Sequence, residues 1–233
     1  MRIVKIEESD GRPETKGCKN GASAVLTQLK DIWLSEDHKI LNYEIVNDNG
    51  DLFLGGDHSI SFEIFSKNPC EGLLIFDAHP DVYHEFNSAT HLDWLKFLID
   101  EGKVNGEKVM IVGLRSFHKK EINYLREKKI KFLTMKNIFE NGVVNVCDGI
   151  MEFVSGFKSL YISIDIDVVD PAFAPGVGYV EPGGLTSREL IYLMQRLKNL
   201  KNLKKIDIVE INKDKDVNNM TSKLAAKLVY ELA

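Results

Sequence analysis

Along the chain, short runs rich in Val, Ile, Leu and Phe alternate with longer segments in which apolar residues recur at helical spacing. Eight runs read as strands: 2–6 (RIVKI), 43–46 (YEIV), 52–54 (LFL), 73–77 (LLIFD), 108–112 (KVMIV), 130–133 (IKFL), 159–165 (SLYISID) and 204–211 (KKIDIVEI). Helices are predicted between and after them, near 21–34, 59–66, 91–102, 119–128, 146–155, 187–199 and 219–233. This alternation is that of βαβ units, which build a mostly parallel sheet covered on both faces. A single three-layer α/β/α domain over 1–233, with a central eight-stranded sheet, is therefore expected. No Pro- or Ser-rich linker, composition shift or internal repeat divides it. The long turn-rich segment 171–184 (PAFAPGVGYVEPGG) is expected to line or roof a site, because structureless stretches of that length in a domain usually carry function.

Composition narrows the function classes. With 44% hydrophobic and 28% charged residues the chain is neither disordered nor fibrous. A net charge of −5 and no long basic run remove the electrostatic footprint for nucleic acid or an anionic membrane, and favour a small cationic ligand. No apolar stretch is long enough to span a bilayer, and the opening MRIVKIEESD lacks a signal-peptide core, so a soluble cytoplasmic protein is expected. Cys18, Cys70 and Cys147 form no CxxC pair, which argues against a zinc ribbon or a disulfide framework and for small core residues. Trp33 and Trp94 read as core or interface anchors, and the C-terminal stretch TSKLAAKLVYELA as a helix packed on the sheet.

Ligands in open parallel sheets bind outside the carboxyl ends of the strands. Three runs here end in acid: LLIF meets Asp77, SLYISI meets Asp165 and KKIDIV meets Glu210. One such acid is ordinarily a turn former or helix cap. Clusters are different. In extended backbone, residues two apart share a face, which would bring Asp77, His79 and Asp81 together, and likewise Asp165 and Asp167. Crowded carboxylates raise one another's pKa unless a cation lies between them. His58, in GGDHS at 55–59 after the strand LFL, adds a possible ligand from a third strand end. Two histidines and four aspartates without a thiolate suit Mn²⁺, Fe²⁺ or Co²⁺ better than structural zinc. Six ligands exceed one tetrahedral ion, whereas two divalent ions about 3.5–4 Å apart would use them all and bracket a water nucleophile. The reaction class is metal-assisted hydrolysis.

Three blocks, in this order, resemble the ureohydrolase family of arginases and agmatinases: GGDHS at 55–59, DAHPD at 77–81, and SIDIDVVDPAFAPG at 163–176 followed by EPGGLTSREL at 181–190. The likeness runs from about residue 50 to the end and implies an arginase-like fold, two Mn²⁺ per subunit and a homo-oligomer, trimer or hexamer. It implies that His58, Asp77, Asp81 and Asp165 hold one ion and Asp77, His79, Asp165 and Asp167 the other, with Asp77 and Asp165 bridging. Glu210, in DIVEIN, falls where the family places the carboxylate that grips the substrate guanidinium. His91, in SATHLDW, falls at the position of a proton-shuttling histidine, and Asp81 would pass a proton to the leaving amine.

The substrate end departs from arginase. Tyr83 in DAHPDVY stands where arginases carry an Asn that holds the α-carboxylate, and resembles agmatinases instead. After GLR at 113–115 the chain has Ser116, Phe117 and His118 rather than the aspartates that hold an α-amino group. Agmatine, giving putrescine and urea, is the expected substrate, ahead of other guanidino compounds. Two further departures are that only 54 residues precede GGDHS, fewer than most agmatinases have, and that Lys213 replaces the proline common after EVN. These predict missing walls and a looser loop beside Glu210.

Overall fold

Side-chain alternation along the strands sets the layers. In β4 (Gly72–Phe76), Leu74 and Phe76 join one buried cluster while Leu73 and Ile75 join another, on the opposite face of the sheet. A strand buried on both sides reads as a continuous apolar run, as LLIF does. The computed structural model describes residues 1–30, 32, 41–83 and 87–233; Trp33 and the end of the expected helix 21–34 lie outside these.

The other strands are β1 (Arg2–Lys5), β2 (Glu44–Val46), β3 (Leu52–Leu54), β5 (Val109–Leu114), β6 (Lys131–Thr134), β7 (Leu160–Asp165) and β8 (Leu203–Val209). They form one sheet in the order β2-β1-β3-β8-β7-β4-β5-β6. Every pairing is parallel, where the sequence predicted only a mostly parallel sheet. Helices cover both faces. The cluster containing Leu74 and Phe76 is closed by α1 (Gly21–Lys30), α5 (Met135–Asn141), α6 (Val143–Ser155), α7 (Ser187–Leu197) and α8 (Met220–Leu232). The other is closed by α2 (Ile60–Lys67), α3 (Trp94–Asp100) and α4 (Lys119–Glu127). The three-layer expectation holds, and the C-terminal helix α8 buries Leu224, Leu228 and Val229 as its apolar stripe requires.

Two helical expectations differ. Residues 135–141 form α5, which the pattern did not show because only Ile138 is buried in it. Its signal is instead a local one: Thr134 accepts from the Asn137 backbone while the Asn137 side chain returns to Thr134, a capping box ahead of Gly142. The helix expected over 91–102 begins only at Trp94. Thr90 and Asp93 bond each other across the preceding turn, through Thr90 N–H and Oγ1 to Asp93 Oδ1 at 2.8 and 2.7 Å, and His91 sits inside that turn. Among the described residues no helix is long and apolar enough to cross a membrane.

Candidate metal centre and active site

The four adjacent strands β3, β8, β7 and β4 are parallel, so the segments leaving them meet at one edge of the sheet. The segment after β3 needs two glycines. Gly55 and Gly56 have φ of 96° and 83°, and a Cβ on Gly55 would lie 2.6 Å from the Ala22 Cβ. Gly55 N–H donates to Ile208 O and Glu210 N–H donates to Gly56 O, which ties the turn to β8 and aims His58 inward.

The aspartates converge, though not by extended-strand alternation. β4 ends at Phe76 and the chain turns through 77–81, with Asp81 at φ 52°. His79 N–H donates to Asp77 Oδ1 at 2.6 Å. Likewise β7 ends at Asp165, residues 166–168 form a 3-10 turn, and Asp167 N–H donates to Asp165 Oδ1 at 2.8 Å. Short carboxylates bond the backbone two residues on, and that local capture replaces the pleat as the organising force. Phe76 and Ile164 are register partners, so Asp77 and Asp165 leave the sheet side by side. Ala78 N–H donates to Asp167 Oδ1 and joins the two turns.

The six residues come together. His58 Nδ1 lies 3.1 Å from Asp77 Oδ2, 3.0 Å from Asp81 Oδ2 and 3.2 Å from Asp165 Oδ2. His79 Nδ1 lies 3.0 Å from Asp167 Oδ2 and 3.5 Å from Asp77 Oδ1. Asp77 therefore belongs to two groups, one with His58 and Asp165, the other with His79 and Asp167. Despite these short distances, His58 Nδ1 and Asp77 Oδ2 are buried without a hydrogen bond of acceptable geometry. Buried polar atoms are seldom left so. The far side of His58 is fully engaged: Nε2 bonds Ser163 Oγ at 2.9 Å, and Ser163 Oγ donates to Asp207 Oδ1 at 2.6 Å. Asp207 also accepts from Ser61 and Tyr161. Ser163 Oγ, committed as a donor to Asp207, accepts from Nε2, so Nδ1 is the atom turned to the carboxylates and open to a proton or a metal ion, as a ligating imidazole requires. The donor set fits divalent cations.

Electrostatics agree. Burial would push His58 down, but the carboxylates of Asp165, Asp77 and Asp81 reverse this and raise it well above its usual range. Burial also opposes charge on Asp77, yet His58 and His79 beside it hold it at about 2. Burial and the adjacent Asp77 charge push Asp81 up to about 6, and burial with Asp167 and Asp77 raises Asp165 further. The centre draws positive charge, and protons and metal ions compete for the same atoms.

Glu210 follows the last residue of β8 rather than lying within a strand to 211, and takes φ 64°. It is 4% exposed. Its Oε1 accepts from His58 N–H at 2.9 Å and its Oε2 from the Cys18 thiol at 3.3 Å. Burial and the Asp57 charge push it up to about 8. Side chains in the left-handed region carry strain, and Asp81 and Glu210 both do so here. His91 is buried rather than solvent-facing, with Nδ1 2.6 Å from Asp10 Oδ2. Burial lowers its affinity for a proton, but the Asp10 hydrogen bond and the charges of Glu210, Asp10 and Asp81 raise it overall. Asp81, His91, Glu210 and Tyr83 all line one cavity of about 360 Å³. Tyr83 sits at its mouth, 49% exposed, with its ring against His118.

Several neighbours carried no sequence signal as site residues. Trp94, expected as an anchor, is indeed buried, but its Nε1 also donates to Asp81 Oδ2 at 2.8 Å. Tyr179 places its ring 6.0 Å from that of His79 and 5.7 Å from that of His91. Glu181 lies 3.8 Å from His79 Nε2 and accepts from Ser116 Oγ. The Arg115 guanidinium holds the roof by donating to the carbonyls of Asp167, Val168 and Glu181. Asp10, Thr15 and Cys18, all ahead of β2, bond His91, Asp57 and Glu210 respectively. After Glu210, Asn212 secures the loop: its N–H donates to Gly176 O, its side-chain amide to Glu14 O, and its Oδ1 accepts from Asp214. Alternating strand positions hint at Ser163 and Asp207, since both are polar residues inside apolar runs.

Comparisons with known proteins point to one family. The profile of the arginase family matches residues 12–233. The chain is 34% identical to arginase 1, mitochondrial, of Arabidopsis thaliana over 78% of its own length and 54% of that protein's, so it spans about half of that relative. It is 30% identical to an arginase of Staphylococcus aureus, covering 97% of this chain and 79% of the other. In fold, the formimidoylglutamase of Bacillus subtilis superimposes with a TM-score of 0.89 at 24% identity, over 99% of this chain and 85% of that one. An all-parallel eight-stranded sheet, carboxylates gathered at its carboxyl edge and this match over nearly the whole sequence lead to one assignment: the chain belongs to the arginase family.

Proposed function

We propose that the protein is a hydrolase of guanidino compounds that works with two Mn²⁺ ions and takes agmatine as substrate, releasing urea and putrescine. The observations that carry the two-ion reading are the buried, unbonded ligand atoms His58 Nδ1 and Asp77 Oδ2, with Asp81 and Asp165 beside them, and the second group formed by Asp77, His79 and Asp167. His58, Asp77, Asp81 and Asp165 hold one ion and Asp77, His79, Asp165 and Asp167 the other. When bound, such ions neutralise the aspartates and lower the pKa of water enough to supply a nucleophile at neutral pH.

The protein's own groups do the rest. Glu210, on the cavity wall, accepts N–H donors of the guanidinium, whose planar fork matches a carboxylate. Asp81 takes a proton at its carboxylate and gives it to the departing amine nitrogen. His91 exchanges protons with solvent. Tyr83 covers the far end of the substrate. Agmatine is favoured over arginine because the described residues lining the cavity include no Lys or Arg to pair with an α-carboxylate, whereas Glu121 and Glu181 are among them. As a small cation it also matches the net charge of −5. A homo-oligomer, trimer or hexamer, in the cytoplasm completes the reading.

The test is a substrate panel with Mn²⁺: urea release from agmatine, arginine and guanidinobutyrate, and formamide release from formimidoylglutamate. Agmatine is expected to have the highest kcat/KM. Faster turnover of another member removes the substrate assignment, and no turnover of any removes the hydrolase.

A further inference from the structure

Beside the metal ligands, a third group of one histidine and two aspartates, Asp10, Asp57 and His91, lies close enough to hold an ion. Its atoms are already used. Asp57 Oδ2 accepts from Asp10 N–H at 2.7 Å and from Thr15 Oγ1 at 3.1 Å, and its Oδ1 accepts from Ser59. Asp10 Oδ1 accepts from Arg12 N–H at 3.0 Å and from Thr15 Oγ1, while its Oδ2 lies 2.6 Å from His91 Nδ1 and also meets Arg12 Nε at 3.3 Å and the His91 backbone N–H at 3.4 Å. A carboxylate so fixed is a support for the imidazole, in the way an orienting group selects one tautomer of a working histidine.

The other face of the ring is equally determined. Tyr179 lies across it, ring centroids 5.7 Å apart with planes inclined by 31°, and its hydroxyl is 3.5 Å from His91 Nε2. The same tyrosine ring reaches His79. At 4% exposure His91 has little room to turn over.

Resting on the hydrolase reading above, we infer that Asp10 and Tyr179 are positioning residues for His91. Asp10 keeps the proton on Nδ1, and Tyr179 packs the ring so that Nε2 faces the cavity. Nε2 is then the atom that gives a proton inward and regains one from bulk water, while Nδ1–H stays on Asp10 throughout. The segment ahead of α1 is thereby part of the catalytic apparatus.

The experiment compares wild type with Asp10→Ala, Asp10→Asn and Tyr179→Phe. Kinetics on agmatine and metal content are measured on the Mn²⁺-loaded protein, and long-range ¹H–¹⁵N NMR of histidine-labelled protein is recorded with diamagnetic Zn²⁺ in place of paramagnetic Mn²⁺, with His91→Asn identifying the His91 signals. In wild type Nδ1 of His91 is expected to carry a proton throughout, with Nε2 alone gaining and losing one. Asp10→Ala is expected to lose that preference and to lower kcat by about tenfold or more, the scale of a misdirected proton-transfer group, with KM nearly unchanged. Asp10→Asn, which keeps an oxygen acceptor, recovers part of the loss and remains informative if the alanine variant fails to fold. Tyr179→Phe keeps the ring and loses only the hydroxyl, with a drop of about two- to fivefold. An Nε2–H tautomer in wild type, an unaltered kcat in Asp10→Ala, or loss of metal in parallel with kcat would overturn the inference. If wild type ignores agmatine and the rest of the panel while the tautomer still depends on Asp10, the hydrolase reading fails and the positioning stands.

Discussion

Two neighbouring clusters have the same side chains, one histidine and two aspartates, and differ in how their atoms are partnered. Around His58, Asp77 and Asp165 the distances are short but the geometry leaves Nδ1 and Oδ2 unsatisfied. In the group of His91, Asp10 and Asp57, donors from Arg12, Thr15, Ser59 and the Asp10 backbone occupy the carboxylates. Proximity of ligand types is therefore a weak criterion for a metal centre. What separates the clusters is whether protein donors already meet the charge. The first is built to receive cations and the second to hold an imidazole still.

Mutations can break that contrast. The largest effect is expected from Asp77→Ala, which removes the carboxylate common to both ion groups and lowers kcat by at least about a thousandfold, several kcal/mol of lost charge stabilisation. Steady-state kinetics with saturating Mn²⁺ measure it. Next, Ser163→Ala frees the Nε2 side of His58 and should weaken metal binding by about 10- to 100-fold, read by competition with a chelating dye. Removing metal with a chelator should lower the melting temperature by roughly 5–15 °C relative to protein held at 100 to 1,000 times its Kd for Mn²⁺, because ions bind only the folded form. Calorimetry gives the difference, and equal midpoints would contradict a built ion site. In the satisfied cluster, Asp57→Asn should cost about 1–3 kcal/mol of folding stability in denaturant titrations yet leave two ions per chain by elemental analysis. The smallest change is expected at the half-exposed Tyr83, where Tyr83→Phe should shift KM for agmatine by no more than about twofold.

The contrast also marks what was legible in the chain. The strands were, because runs such as LLIF and SLYISI are buried on both faces and need no partner to be recognised. So were the ligand types, since GGDHS, DAHPD and SIDID concentrate them at strand ends. Their mode of convergence was not: Asp77–Asp81 and Asp165–Asp167 are brought together by turns in which carboxylates capture backbone N–H groups. Of the supports, Ser163 and Asp207 stand out in the sequence only as polar residues inside apolar runs, and the partners of the supports are not legible there. Ser163 meets Asp207 only through the register of β7 on β8, and Asp10 meets His91 across 81 residues of sequence. Cys18 looked like filler and is a donor to Glu210. α5 escaped notice because its stability begins in the Thr134 cap rather than in an apolar stripe.

The most direct test is anomalous diffraction at the manganese edge from crystals grown with Mn²⁺. Two peaks are expected, one among His58, Asp77, Asp81 and Asp165 and one among Asp77, His79, Asp165 and Asp167, with none between Asp10, Asp57 and His91. A single peak, no peak, or density in the third cluster would contradict the two-ion site.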